Sequence, residues 1–138
     1  MSTRTSISTH NLTARQITIL VAYGAVLWFA AAMLVRTIGP IGLLDGGWRA
    51  LTYALVIPGT VPAILAARPL AKLRHDQTLA GIAVVTTTAL LLDGVGHAWF
   101  PALYGTDPAL IIKGAAAIFW GAGVGLVLAF LMNNGDIK

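Results

Sequence analysis

The run of residues 17–35, ITILVAYGAVLWFAAAMLV, contains no charged residue and is bounded by Arg15 and Arg36. A bilayer core of about 30 Å is crossed by roughly 20 apolar residues in a helix, so this run predicts a membrane-spanning helix. None of the apolar segments alternates with the two-residue period of barrel strands. The sequence therefore predicts an all-α fold, a four-helix transmembrane bundle. The other three predicted spans are residues 50–67, 78–100 and 109–132.

The composition supports a membrane protein over the whole chain. Of the 138 residues, 57% are hydrophobic and only 10% are charged, and the mean hydropathy is +0.81. Soluble domains carry about 25% charged residues, so a water-soluble globular fold is excluded. We expect residues 1–16 to form a polar N-terminal leader and residues 17–138 to form a single integral membrane domain whose first helix is retained. The absence of Cys excludes disulfides and thiolate metal sites.

The positions of Lys and Arg predict which way the helices cross the membrane. With the N-terminus inside, six basic residues lie on the cytoplasmic side, and only Arg36 and Arg49 lie in the opposite loops. Because cytoplasmic loops carry the excess of basic residues, both termini are predicted to be cytoplasmic. Trp48, Trp99 and Tyr104 then fall at the outer interface, where aromatic rings are favoured. The cations are too scattered to form a nucleic-acid-binding face, so we expect no nucleic-acid partner.

Asp93 and His97 are the most informative polar pair because they lie in the third predicted span. Their spacing of four places them on one helical face, which Thr86 and Leu90 continue inward. An ionisable residue inside a span is costly and suggests a functional role. Three interpretations remain open: Asp93 braces the end of the helix, the pair handles protons or ions, or His97 ligates a pigment or haem. We expect Lys113 to snorkel to the interface or to form an ion pair with Asp93.

The second predicted span contains Pro58, Gly59 and Pro62 near its centre. A proline inside a helix has no N–H to donate, and its ring collides with the preceding turn. These residues therefore predict a kink in the second helix. Such breaks expose backbone carbonyls near the bilayer midplane in some transporters, although kinked helices also occur where they only pack against neighbours.

The fourth predicted span carries a stripe of small residues. Gly121 and Gly125 are spaced so that the backbone of a second helix can approach closely. The partner of this helix-packing interface is either another helix of the same chain or another protein. The stripe consists of Gly114, Ala117, Gly121 and Gly125.

Two segments carry a resemblance to a known family. LLDGVGHAWFPALYG at residues 91–105 and ALVIPGTVP at residues 54–62 resemble recurring elements of an uncharacterised family of small bacterial four-span membrane proteins. The resemblance covers most of the chain and implies a four-span protein of the bacterial inner membrane. It implies no active residues, because these elements have no assigned chemistry. Small multidrug transporters share the span count, but they typically rely on a Glu in the first helix, and this chain contains no Glu.

From these features we expect a non-enzymatic structural or accessory subunit that associates with itself or with a larger complex in the lipid bilayer. The spans leave no room for a soluble domain, and the sequence has no GxSxG, Walker, HExxH or paired-cysteine motif. No catalytic residue, metal site or cofactor is therefore predicted. One alternative is a small proton- or ion-coupled transporter that uses Asp93 and His97. A second alternative is a subunit that binds a pigment or haem through His97.

Overall fold

A computed structural model describes residues 12–133 of the chain. Within this range there are four long helices and two single turns of 3-10 helix, at His75–Gln77 and Pro101–Leu103. All four long helices are long and apolar enough to cross a membrane. The predicted all-α fold, with four helices long enough to span a bilayer, is confirmed. The helices are α1 (Ala14–Ile38), α2 (Gly46–Ala71), α3 (Thr78–Trp99) and α4 (Pro108–Asn133).

The first helix begins inside the predicted leader. The Thr13 hydroxyl accepts a hydrogen bond from the Gln16 N–H at 3.2 Å, and the Gln16 side-chain oxygen accepts one from the Thr13 N–H at 2.9 Å. This reciprocal capping satisfies two backbone donors that a helix start leaves without partners. Helix α1 therefore starts at Ala14, and the last residues of the predicted leader belong to it. Residues 1–11 of the leader and residues 134–138 lie outside the described residues.

Consecutive helices run in opposite directions, but α1 and α2 do not pack mainly against each other. Helix α1 packs mainly against α3, which runs in the same direction, while α2 packs mainly against α4, and α3 also contacts α4. We call the end of the bundle that holds the connections 39–45 and 100–107 the upper end. The end that holds the connection 72–77 is the lower end. This arrangement brings all four helices around one common interior.

Most of the fully buried apolar residues lie toward the lower end. This cluster consists of Leu20, Ile64, Ala67, Ala71, Ile82, Val85 and Ala129. A smaller cluster near the upper end joins α1 to the 100–107 connection and consists of Ala32, Val35 and Tyr104. The lower part of the bundle is therefore close-packed, and the upper part has fewer buried apolar contacts.

Polar side chains also fix the lower end. The Arg68 guanidinium donates from Nε to the Thr78 hydroxyl at 3.2 Å and from Nη2 to the Met132 carbonyl oxygen at 3.3 Å. The Asn133 side-chain oxygen accepts from the Leu79 N–H at 3.1 Å. These bonds satisfy backbone groups at helix ends, where intrahelical partners are absent. They hold α2, α3 and α4 together at the lower end.

Helix α2 runs without interruption through its prolines, Pro58, Pro62 and Pro69. Each proline removes one N–H from the hydrogen-bond ladder. Pro58 and Pro62 thereby leave the carbonyls of Ala54 and Pro58 without their usual helical donors. The helix is weakened at its centre but not broken, and the predicted kink stays a prediction.

A close approach between two helices lies at Gly24 on α1. An added Cβ at this position would lie 2.7 Å from the carbonyl oxygen of Val85 and 3.0 Å from the Cβ of Thr88, both on α3. Backbone atoms cannot move aside as a flexible side chain can. Glycine is therefore required for α1 and α3 to pack at this distance.

We predict that Gly24→Ala lowers the free energy of unfolding by about 1–3 kcal/mol, the usual cost of overpacking. Thermal unfolding in detergent, followed by circular dichroism, measures the change. Gly123→Ala on α4 is the matched control, because an added Cβ there meets no atom within 4 Å. The control should melt at or slightly above the wild-type temperature, since Ala favours a helix. Equal melting of both variants would contradict the close approach.

Candidate functional site

A cavity of about 390 Å³ lies between the four helices, and every helix contributes to its wall. The volume is within the usual range of small-molecule sites. It exists because much of the wall is made of small residues, including Gly59 on α2 and Gly121 and Gly125 on α4. Added Cβ atoms at Gly121 and Gly125 would only reach ordinary contact distance from α2, 3.7 Å from Val56 and 3.6 Å from Thr60.

The stripe of small residues on α4 faces the interior of the same chain. Gly114 packs on α1, where an added Cβ would lie 3.2 Å from the Cβ of Val35. The other three members, Ala117, Gly121 and Gly125, line the cavity. The sequence left two partners open for this stripe, a helix of the same chain or another protein. In the structure the stripe faces helices of the same chain.

Asp93 is the only charged residue in the wall of the cavity. It lies on α3 with 5% of its surface exposed. Thr86 and Leu90, which precede it on the same helical face, also line the cavity. The face of α3 that the spacing of polar residues predicted is therefore the face that points into the bundle.

The Asp93 carboxylate is held by a hydrogen-bond chain from two other elements. The Tyr104 hydroxyl donates to Asp93 Oδ1 at 2.8 Å, and the indole N–H of Trp28 on α1 donates to the Tyr104 oxygen at 3.0 Å. Burial, followed by the bonded Asp93 carboxylate, raises the pKa of Tyr104 to about 12. The phenol therefore keeps its proton at neutral pH and remains a donor to Asp93.

Tyr104 was expected at the outer interface, and this expectation is wrong. The side chain is 1% exposed and points into the bundle, whereas Trp48 and Trp99 are exposed and their place at the outer interface stays a prediction. Gly96 makes room for the ring, since an added Cβ there would overlap the Tyr104 hydroxyl. Sequence reasoning missed the roles of Tyr104 and Trp28, because no periodicity connects a loop residue to α1. The available signal was Gly96, which precedes His97 in the polar part of the third span.

His97 lies beside this hydrogen-bond chain without touching the carboxylate. Its ring stacks on the Tyr104 ring, with centroids 3.7 Å apart and planes at 23°. Nδ1 lies 2.9 Å from the backbone carbonyl oxygen of Asp93. Since a carbonyl only accepts, Nδ1 carries a hydrogen. The imidazole therefore helps to hold the Tyr104 ring in place, and it shares no hydrogen bond with the Asp93 side chain.

The other ring nitrogen of His97, Nε2, is buried and has no hydrogen-bond partner among residues 12–133. A neutral imidazole with a hydrogen on Nδ1 carries its lone pair on Nε2, which is the atom that would ligate iron. Protein atoms cover this nitrogen, so the iron of a haem would reach it only after neighbouring groups moved. Pigment or haem binding through His97 stays a prediction.

Of the two alternatives expected for Lys113, snorkelling or an ion pair with Asp93, the structure does not show the ion pair. The Lys113 ammonium instead forms a salt bridge with the carboxylate of Asp45, which lies just before α2. Both side chains are partly exposed, and the side chain of Asp45, the N-cap residue of α2, makes no capping hydrogen bond. Lys113 reaches the upper end of the bundle in this way, which agrees with snorkelling. Asp93 meanwhile accepts its hydrogen bond from Tyr104, so the two expected partners belong to separate contacts.

The arrangement combines apolar walls, one carboxylate and one aromatic ring, a composition suited to binding a small molecule. Among residues 12–133, no group of three or more His, Cys, Asp or Glu is placed to hold a metal ion. Comparisons with protein-family models, with curated proteins and with solved structures find no match to this chain. The residues of the cavity are therefore the basis for any function assigned to it.

We predict that Asp45→Asn and Lys113→Met are coupled in a double-mutant cycle of thermal stability by about 0.5–1 kcal/mol, the range for partly exposed ion pairs. The control cycle combines Lys113→Met with Asp93→Asn and should be additive, because these two side chains have different partners. If the control cycle showed coupling and the first cycle were additive, Lys113 would be paired with Asp93 and not with Asp45.

Proposed function

We propose that the protein is a small proton-coupled transporter of the bacterial inner membrane, which binds its substrate in the cavity between the four helices. One observation carries the proposal. Asp93 is buried in a membrane-spanning helix, lines the cavity, and has no salt-bridge partner among residues 12–133.

The cost of an ionised carboxylate supports a proton-handling role. An unpaired charge within a span costs several kcal/mol unless it is hydrated or paired. The Tyr104 hydroxyl offsets part of this cost by donating to one carboxylate oxygen. Taking up a proton removes the remainder. Asp93 can therefore alternate between a protonated form and an ionised form according to what occupies the cavity.

Helix α2 has the features of a moving element. Its buried residues, Ile64, Ala67 and Ala71, all lie in its lower half. The upper half flanks the cavity through Thr52, Val56 and Gly59, and it is joined to α4 by a stack between Tyr53 and Trp120 with ring centroids 5.5 Å apart. The lower half is thus anchored in the core, whereas the upper half has no buried residue and is held to α4 by this stack and by the hydrogen bond from the Trp120 indole N–H to the Tyr53 carbonyl oxygen at 2.9 Å.

Pro58 and Pro62 lie between the anchored and the loosely held parts of α2. Missing helical hydrogen bonds lower the resistance of a helix to bending at such a point. Bending there would move the upper half of α2 away from the cavity and open it toward the upper end. The Asp45–Lys113 salt bridge at the top of α2 would have to break in the same movement.

The accessory-subunit hypothesis stays a prediction, as does the absence of enzymatic activity. The stripe on α4 was the feature that suggested a contact with another protein, and in the described residues it contacts α1 and α2. It therefore no longer favours association over transport. A transporter that forms a homo-oligomer is compatible with both proposals.

Proton-linked transport is testable in vesicles without a known substrate. The assay uses proteoliposomes that contain a pH-sensitive dye and a panel of small, largely apolar cations, neutral compounds and acids. We predict that one of these classes makes an imposed pH gradient dissipate faster. Asp93→Asn should abolish the acceleration, because the residue can no longer exchange a proton. Protein-free vesicles correct for passive permeation of the added compound.

The control for this experiment is Asp107→Asn. Asp107 is an exposed carboxylate in the 100–107 connection, where it accepts a hydrogen bond from the Ala109 N–H at 2.8 Å. Its loss should leave the flux unchanged. A panel in which no compound accelerates dissipation, or in which Asp93→Asn behaves as the wild type, would overturn the transport proposal.

The orientation of the bundle provides a separate prediction. We expect reporter fusions after Lys138 and within residues 72–77 to report the cytoplasm, because basic residues concentrate on that side. A fusion at Gly105, in the 100–107 connection, should report the opposite side. A cytoplasmic signal at Gly105 would mean that the upper end faces inward, contrary to the proposed orientation.

A further inference from the structure

The charge in the cavity indicates what kind of molecule it binds. We infer that the substrate is a small organic monocation with an apolar body, which places its charge between the Asp93 carboxylate and the indole ring of Trp28. This inference rests on the proposed transport function and specifies its substrate class.

The Asp93 carboxylate has no counter-ion among residues 12–133. The cationic side chains that reach toward the bundle have other partners: Lys113 binds Asp45, Arg36 donates to the carbonyl of Ala102, and Arg68 binds groups at the lower end. His97 directs Nδ1 to a backbone carbonyl. No described residue therefore forms a salt bridge with Asp93, and a molecule inside the cavity can supply a positive charge that does.

An aromatic ring lies in the cavity wall together with the carboxylate. Trp28 lines the cavity, and its N–H already donates to Tyr104. The face of an indole attracts a cation within about 6 Å of the ring centroid, and quaternary ammonium groups are commonly bound in this way. A carboxylate and an indole together favour a positive charge over a neutral or negative group.

The rest of the cavity wall is mostly apolar. The hydroxyls of Thr52 and Thr60 donate to backbone carbonyls of Leu43 and Val56, at 2.7 Å and 2.6 Å. Among residues 12–133, Thr86 is then the one polar side chain of the wall that makes no hydrogen bond. The remaining lining is aliphatic. A molecule that fits about 390 Å³ here is therefore apolar apart from one charge.

A single carboxylate also explains how such a substrate exchanges with a proton. Asp93 has one negative charge, which either a proton or the cation can neutralise. Binding of the cation to the protonated carboxyl therefore releases one proton, and protonation expels the cation. Net charge in the cavity stays at zero in both states, so neither state leaves an uncompensated charge inside the membrane.

The test uses benzyltrimethylammonium, whose charge is permanent, and neopentylbenzene, its neutral isostere. Both are titrated into the purified protein in detergent micelles by isothermal calorimetry between pH 4.5 and pH 8, and titrations into empty micelles are subtracted. We expect the cation to bind at least tenfold more tightly than the isostere at pH 8. Its affinity should fall with decreasing pH, while the affinity of the isostere should not change.

Variants assign the preference to Asp93. Asp93→Asn should abolish the tighter binding of the cation and the pH dependence of its affinity, and it should not change the affinity of the isostere. Asp93→Glu should retain most of the cation preference and of its pH dependence. Asp107→Asn is the control and should bind as the wild type does. If Asp93→Asn does not fold, the comparison of the two probes on the wild-type protein still decides the matter.

The outcomes separate this inference from the proposed function. Equal affinity for both probes at pH 8, or a cation preference that survives in Asp93→Asn, would overturn the monocation inference and leave transport of another class of molecule to the vesicle assay. A cation preference without any pH dependence would support the monocation and contradict proton coupling. Failure of both probes to bind would overturn the inference, whereas transport is judged by flux alone.

Discussion

The hydrogen bond from Tyr104 to Asp93 connects parts of the chain that hydropathy alone leaves unrelated. It draws the 100–107 connection into the bundle, where Tyr104 also accepts from Trp28 on α1 and stacks on His97 of α3. A buried acceptor without a donor would cost the full desolvation of the group. The upper end is therefore organised around one carboxylate, in contrast to the lower end, where apolar packing is continuous.

The number and extent of the helices could be predicted because the bilayer sets them. Each span must be apolar over about 30 Å, and this constraint is visible in any window of the sequence. The rotation of each helix was much harder to predict. Lipid tails are as apolar as a protein interior, so α4 shows almost no contrast between its two faces. The polar residues Asp93 and Thr86 indicate the inward face of α3, and the stripe of small residues indicates that of α4.

Asp93 was identified as a candidate site residue because an ionisable group within a span is rare and costly, but its partner was not. Charge favoured Lys113, which lies at a similar depth. The pairing depends on where the 39–45 connection carries Asp45, and on a glycine at position 96 that admits the Tyr104 ring. Both contacts join residues that are distant in sequence and depend on the paths of loops. Helical spacing contains no information about such paths.

The small residues of α4 have two different consequences, which depend on what faces them. Opposite Gly114, Val35 fills the space and the helices touch, whereas Gly121 and Gly125 face α2 more loosely and line the cavity. An unfilled apolar volume forgoes the dispersion contacts that larger side chains would supply. A Cβ added at Gly121 would meet only Val56, and one added at Gly125 only Thr60, both at ordinary contact distance. Glycine here thus keeps open a volume beside Asp93, the one buried carboxylate among residues 12–133, and this is the volume in which we propose that the substrate binds.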